Sequence, residues 1–106
     1  MANSFKNYFV KNANTTPQTV VTIGAGIQAT VIGMTMANMT AAPISANVYI
    51  TSSGTDYYLA KDVTIAIGSS FIPIGAEQKL VLEPTESLKV SATANCDVIC
   101  SVLEIS

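Results

Sequence analysis

The sequence has none of the residues on which most catalytic and nucleic-acid-binding sites depend. It contains no histidine, tryptophan or arginine, and only 11% of its 106 residues are charged. Histidine is the commonest general base and metal ligand, and arginine is the residue best suited to bidentate phosphate recognition. The net charge of −2 disfavours an electrostatic attraction to nucleic acid or to an anionic membrane. We therefore predict that the protein is not an enzyme, uses no cofactor or metal, and binds neither nucleic acid nor membrane directly.

Cysteine is scarce, and a secretory signal is missing. The first ten residues lack the apolar run and the small-residue cleavage site of such a signal, so we expect the protein to stay in the cytoplasm where it is made. Cys96 and Cys100 lie in one segment of alternating character. In an extended strand, four positions span roughly 13 Å, which is too far for a disulfide. We expect both thiols to be reduced and buried.

Uncharged polar residues and β-branched residues dominate what remains. Threonine, serine and asparagine together number 29, and valine, isoleucine and threonine together number 33. β-branched side chains favour strands over helices. Apolar and polar residues alternate in short segments between turn residues, and no segment carries helix caps. We predict an all-β antiparallel sandwich of about eight short strands, immunoglobulin-like or jelly-roll in type, with residues 1–14 as an N-terminal strand or arm and residues 15–106 as a single domain.

Three segments give local predictions. Residues 45–60 are predicted to form a hairpin that turns at residues 52–55. In residues 27–36 the apolar positions change phase, so this strand is predicted to be apolar on both faces. Pro73 cannot donate to a ladder, which favours a sheet edge or a crossover for residues 71–75.

The last third of the sequence has the clearest alternation. Residues 79–83, 88–92 and 96–105 are predicted to form three consecutive strands of a meander, with a turn at residues 84–87. In the final strand, the pattern sets Ile99, Leu103 and Ile105 against Cys100 and Glu104.

A glycine motif imitates a dinucleotide-binding site. Gly24 and Gly26 follow a β-branched run and match the fingerprint of such domains. The fingerprint requires a following helix, whereas residues 30–35 are β-branched and poor in helix formers. The acid that binds the ribose is also absent from residues 46–50. The motif is interpreted as a turn between two strands.

Two other patterns have simple explanations. The pairs Asp56 with Asp62 and Glu83 with Glu86 have the composition of catalytic carboxylates, but each pair flanks a predicted turn, where acids are ordinarily solvated. Asn14 and Asn38 each begin an Asn-x-Thr acceptor pattern for glycosylation, which arises freely in a chain this rich in both residues.

The aromatic residues give two candidate surfaces. Phe5, Tyr8 and Phe9 place three of the seven aromatic residues in the first nine positions. They belong either to a first strand docked on the protein's own sheet or to an arm that pairs with a neighbouring subunit, which makes them a candidate subunit interface. A second set could form a shallow sugar-binding surface with neighbouring Asn and Thr residues: Tyr49, Tyr57 and Tyr58.

The chain resembles small all-β virion proteins of tailed bacteriophages. The resemblance lies in residues 3–10 (NSFKNYFV), 49–59 (YITSSGTDYYL), 75–82 (GAEQKLVL), 86–90 (ESLKV) and 101–105 (SVLEI). It implies a structural component of a virion, placed on the capsid as decoration or cement, or at the neck or tail. The implied partners are major capsid, neck or tail subunits and copies of the same chain, and no defined site comes with the resemblance. A carbohydrate- or host-surface-binding module is the alternative.

Overall fold

The computed structural model describes residues 3–74 and 79–106, which form nine β-strands and no helix. The strands are β1 (Asn3–Ala13), β2 (Gln18–Thr22), β3 (Gln28–Asn38), β4 (Ile44–Ser52), β5 (Thr55–Ile65), β6 (Ser70–Ile74), β7 (Leu80–Leu82), β8 (Ser87–Ala92) and β9 (Cys96–Ile105). In the described ranges there is no long apolar helix of the kind that crosses a membrane. Residues 75–78, within one of the segments that carry the resemblance, lie outside the described residues.

The strands form two antiparallel sheets. The front sheet has the order β1-β9-β3, with β6 and β7 paired one after the other along the far edge of β3. The back sheet has the order β2-β8-β4-β5. If β6 and β7 are counted as one interrupted strand, eight strands form two four-stranded sheets, and consecutive strands change sheet except at the β4–β5 hairpin. This is the double-sheet jelly roll. The predicted all-β sandwich is confirmed, and of its two variants the structure has the jelly roll.

The core lies between the two sheets. On β9 the buried side chains are those of Cys96, Val98, Cys100 and Val102, and the back sheet contributes apolar residues of β4 and β8 from the other side. Both cysteines are free and buried, as predicted. Burial raises the pKa of each thiol to about 11.

A β-bulge in β3 corrects the prediction that this strand is apolar on both faces. Val31 pairs with Val102 and Gly33 pairs with Ser101, so Ile32 is an extra residue without a partner of its own on β9. The bulge shifts the alternation by one position. As a result, Ala29, Val31, Met34 and Met36 all point into the core.

The predicted meander is wrong. β7 belongs to the front sheet, β8 to the back sheet and β9 to the front sheet again. The turn at residues 84–87 carries the chain from one sheet to the other, and the backbone N–H of Thr85 donates to the carbonyl of Ile23 (2.9 Å), which follows β2 of the back sheet. The β4–β5 hairpin is confirmed, with Ser53 and Gly54 at positive φ in its turn.

The two remaining local predictions are confirmed. Gly24 and Gly26 lie in the turn between β2 and β3, where Gly26 has a φ of 78°. Pro73 lies in β6, at the edge of the front sheet, where the pairing with β3 is irregular.

Asn38 is a buried polar residue that fixes the loops at one end of the sandwich. Its Nδ2 donates to the carbonyls of Ala42 (2.8 Å) and Ile65 (3.0 Å), and its Oδ1 accepts from the backbone N–H of Thr40 (2.8 Å). Asn14 accepts from the backbone N–H of Thr16 in the same way (2.9 Å). Both Asn-x-Thr patterns are therefore Asx turns.

Candidate interaction surface

The outer face of the front sheet carries two rows of apolar residues. Cross-strand register places Phe5, Leu103, Thr30 and Val81 in one row and Phe9, Ile99 and Thr35 in the other. Ile72 extends the second row, because the irregular β6 pairing sets it opposite Thr35. We call the following residues the apolar face: Phe5, Phe9, Ile72, Val81, Ile99 and Leu103.

Five of the six residues of the apolar face are exposed in the isolated chain, and Leu103 is half-buried. Phe5 is 77% exposed, Phe9 68%, Ile72 59%, Val81 58% and Ile99 50%. Among the described residues, the register places Asn7, Ser101 and Gly33 between the two rows, with the exposed bulge residue Ile32 next to Gly33. None of these described positions carries a charge, which makes the surface unusual for one that faces only water.

The outer face of the back sheet differs in its chemistry. Its side chains are polar and hydrogen-bonded to one another, for example Asn47 Nδ2 to Ser91 Oγ (3.1 Å) and Thr22 to Ser87 (3.0 Å between the hydroxyl oxygens). Lys89 lies on the same face, opposite Tyr49. The sandwich therefore has one polar and one apolar outer face, and the apolar one contains β1.

The structure separates the three aromatic residues of the N-terminal candidate interface. β1 pairs along β9 of the same chain, and Phe5 and Phe9 both lie on the apolar face. Tyr8 points to the opposite side, where its hydroxyl donates to Glu104. Lys6 Nζ lies 3.2 Å from the same carboxylate. Tyr8 thus helps to hold β1 on its own sheet.

Alkaline pH should weaken the fold through Tyr8. Burial, followed by the hydrogen bond to Glu104, raises the pKa of Tyr8 to about 12. An unfolded chain releases this proton near pH 10, whereas the folded chain retains it, so the stabilisation is complete below about pH 10 and is lost as the pH rises towards about 12. Urea unfolding over this range should show a smaller loss of stability in Tyr8→Phe than in the wild type. Tyr57→Phe is the matched control, and an unchanged slope in Tyr8→Phe would contradict the assignment.

The second aromatic candidate set is also divided. Tyr49 and Tyr58 stack on the outer face of the back sheet with ring centroids 4.8 Å apart, and Lys61 Nζ lies 4.8 Å from the Tyr58 ring centroid. Tyr49 is nevertheless only 5% exposed. Tyr57 pairs with Ile50 and points to the other side of β5. The three rings do not form one continuous platform.

The candidate carboxylates hold turns and bulges. Glu86 accepts a hydrogen bond from the backbone N–H of Glu83 (2.8 Å), and Asp56 accepts one from Thr51 Oγ1 (2.7 Å). Asp62 has a φ of 54° in a bulge of β5. Among the described residues, no three His, Cys, Asp or Glu side chains are grouped so that they could hold a metal ion.

A shallow hollow of about 200 Å³ lies between the ends of β1 and β9. It is smaller than a typical small-molecule pocket, which has a volume of roughly 300–1,000 Å³. Its walls include Phe9 and Ile99, so the hollow continues the apolar face at one end. The hollow makes this end of the apolar face concave.

Most of the apolar face was not identified in the sequence. The alternation in β9 set Ile99 and Leu103 against Cys100, and the structure buries the cysteine side, as expected for the thiols, and exposes Ile99. The available signal for Ile99 was the expected burial of Cys100, but this signal was weak because Val98 and Val102, on the side of the cysteines, make both sides of β9 apolar. Ile72 and Val81 carry no comparable signal, since each lies in a short strand at a sheet edge.

Comparison with solved structures supports the fold. A protein of Bacillus endospore appendages, described as a novel family of disulfide-linked pili, matches with a TM-score of 0.56 at 14% identity, over 98% of this chain and 88% of that chain. No family model matches the sequence, and no curated protein matches it. At this identity the likeness concerns the fold alone.

Two viral structures show the same likeness. A chain of the T13 particle of infectious bursal disease virus matches with a TM-score of 0.56 at 9% identity, over 96% of this chain and 30% of that chain. The structure of the Gx strain of that virus matches with a TM-score of 0.55 at 11% identity, over 96% and 32%. The chain therefore corresponds to about a third of the length of these viral chains.

Proposed function

We propose that the protein is a non-enzymatic structural subunit of a virion. Within that class, we propose a component of a tailed-bacteriophage particle, which stabilises or decorates the capsid or forms part of the neck or tail. It acts through contacts with copies of itself and with neighbouring particle subunits. The observation that carries this proposal is the apolar face.

The physical reason is that such a surface is costly for a protein that stays monomeric. Contiguous exposed apolar patches mark interaction sites, and burying them supplies the main favourable free energy of association. The apolar face is also poor in charges, so covering it requires little desolvation of ions. The neighbouring Lys11 and Asp97 side chains already neutralise each other at 2.8 Å.

The fold supports the same function. The jelly roll is the fold that the chain shares with the pilus protein and with the viral particle chains, and those proteins are parts of repeating assemblies. Double-sheet jelly rolls of this kind also form viral capsid domains. A role as a subunit of an assembly therefore agrees with both the architecture and the surface.

The direct test is quantitative mass spectrometry of density-purified particles from the source of the sequence. An abundance near one copy per capsid subunit would support a decoration or cement role, and about a dozen copies per particle would support the neck or tail. Absence from the particle would contradict the proposal. The carbohydrate- or host-surface-binding alternative would then become the leading hypothesis.

Substitutions on the apolar face should weaken self-association. The double variant Phe9→Thr with Ile99→Thr is expected to raise the dissociation constant at least about tenfold, because each buried side chain of this size contributes about 1.5–3 kcal/mol. Sedimentation velocity over a concentration series measures this change. The control is Met39→Thr with Ile67→Thr, which alters loop residues that are similarly exposed, at 55% and 58%. Equal effects of the two double variants would contradict the role of the apolar face.

A further inference from the structure

The four sheet edges differ in how well they are protected against pairing with another chain. β2 has only five residues and is bulged at Val20. β5 is bulged at Asp62, whose backbone N–H donates to Asn47 Oδ1 (2.8 Å). The far edge of β3 is covered by β6, which contains Pro73, and by the three-residue β7. Short strands, bulges and proline are the usual means of blocking an edge.

The β1 edge lacks this protection over most of its length. Residues 3–10 pair with β9 without irregularity, and the first bulge comes after Val10. No strand in the described ranges pairs with the other side of β1. Lysines normally discourage edge pairing, but here Lys6 is paired with Glu104 and Lys11 with Asp97. The β1 edge is thus long and regular, and the charge of each of its two lysines is balanced by a carboxylate of β9.

The two phenylalanines of β1 are placed symmetrically about Asn7. Phe5 and Phe9 are equidistant from it, and Lys6 and Tyr8 are its direct neighbours. A two-fold interface requires a surface that complements itself, and a strand of this kind meets that requirement. Phe5 of one copy would lie opposite Phe9 of the other, on the same outer face.

We propose that β1 pairs antiparallel with β1 of a second copy of the chain, about a two-fold axis at Asn7. This inference rests on the proposed function and specifies one of its contacts. The two front sheets become one continuous sheet, and their apolar faces become one surface of twice the width. The joined surface is then presented to the next partner in the particle.

The register follows from the side chains. Pairing centred on Asn7 places phenylalanine opposite phenylalanine, and aromatic cross-strand pairs are favourable. Centring on Lys6 would place Phe5 opposite Asn7 and Phe9 opposite Asn3, so the aromatic pairs would be lost. Centring on Tyr8 would place Phe5 opposite a lysine. Centres between residues would join an outer face to an inner face, because side chains alternate along a strand.

Cysteine cross-linking tests both the pairing and its register. In this arrangement Asn7 faces Asn7 of the second copy, with Cα atoms about 4.5–5.5 Å apart, which suits a disulfide. The equivalent Asn3 positions are eight residues apart along the strand, or roughly 26 Å. Under mild oxidation, Asn7→Cys should form covalent dimers at least about tenfold faster than Asn3→Cys. Thr64→Cys, on the exposed β5 edge, is the matched control for random collision, and the native cysteines are buried.

A mixing experiment gives an independent measurement. Phe5→Cys and Phe9→Cys should cross-link when mixed, whereas each alone should not, because both residues are exposed and only the mixed pair is aligned. Equal rates for Asn7→Cys and Asn3→Cys, or no cross-link in the mixture, would overturn the pairing. If the chain is abundant in purified particles but the cysteine variants do not cross-link, the β1 pairing is contradicted and the proposed function is not. If the chain is absent from purified particles, the proposed function is contradicted, whatever the cross-linking result.

Discussion

Deletion of Ile32 should leave the protein folded, whereas deletion of Thr35 from the same strand should remove much of its stability. Ile32 is the extra residue of the β3 bulge. Without it, Val31 and Gly33 become consecutive and remain opposite Val102 and Ser101. The alternation on both sides of the deletion is unchanged, and Met34 and Met36 stay in the core.

Deletion of Thr35 cannot preserve the alternation of β3 in this way. Met34 and Met36 become adjacent, so one of them must leave the core. Loss of a buried methionine costs about 2–5 kcal/mol, out of a total of roughly 5–15 kcal/mol for a domain of this size. Equilibrium unfolding in urea compares the two deletions directly. Similar losses of stability in both would show that the bulge is not where the structure places it.

Replacement of Asn38 by alanine should lower the free energy of unfolding by about 2–4 kcal/mol. The change leaves the buried carbonyl of Ile65 and the backbone N–H of Thr40 without their present partner. Buried groups that lose a partner cost about 1–3 kcal/mol each. Thermal or urea unfolding measures the effect.

The matched control is Asn14→Ala. Asn14 begins the same Asn-x-Thr pattern and makes the same Asx turn, but its hydrogen bonds are exposed to water. Its replacement should cost less than about 1 kcal/mol. Asn38→Asp keeps the acceptor for Thr40 and loses the donors, so it should be as destabilising as alanine. A mild effect of Asn38→Asp would contradict the importance of the donated hydrogen bonds.

The fold class was predictable because strand alternation and turn residues are local properties. The hairpin at Ser53 and Gly54 and the edge position of Pro73 follow from the chemistry of those residues. The assignment of strands to sheets was not predictable. The turn around Thr85 has the same residue types whether it closes a hairpin or crosses between sheets. Its contact with Ile23, which is distant in the sequence, distinguishes the crossing from a hairpin.

The candidate surface was predictable in part for a related reason. Phe5 and Phe9 could be identified as candidate interface residues because three of the seven aromatic residues lie in the first nine positions. The exposure of Ile99 depends on which side of β9 meets the back sheet, and both sides are apolar. The bulge at Ile32 accounts for the change of phase in β3, and its one local mark in the sequence is the adjacent Gly33. Packing of the two sheets determines these choices, and a single strand does not contain that information.

The position of β9 imposes an order on synthesis and assembly. β9 lies between β1 and β3, and Tyr8 and Glu104 are 96 positions apart in the chain. The front sheet therefore cannot form until β9 has left the ribosome, so β1 and β3 lack their common partner until β9 has been synthesised. A truncated chain that lacks β9 has no apolar face and no ordered β1 edge. Chains truncated before β9 are thereby excluded from any assembly that uses these surfaces, so only chains that contain β9 can enter it.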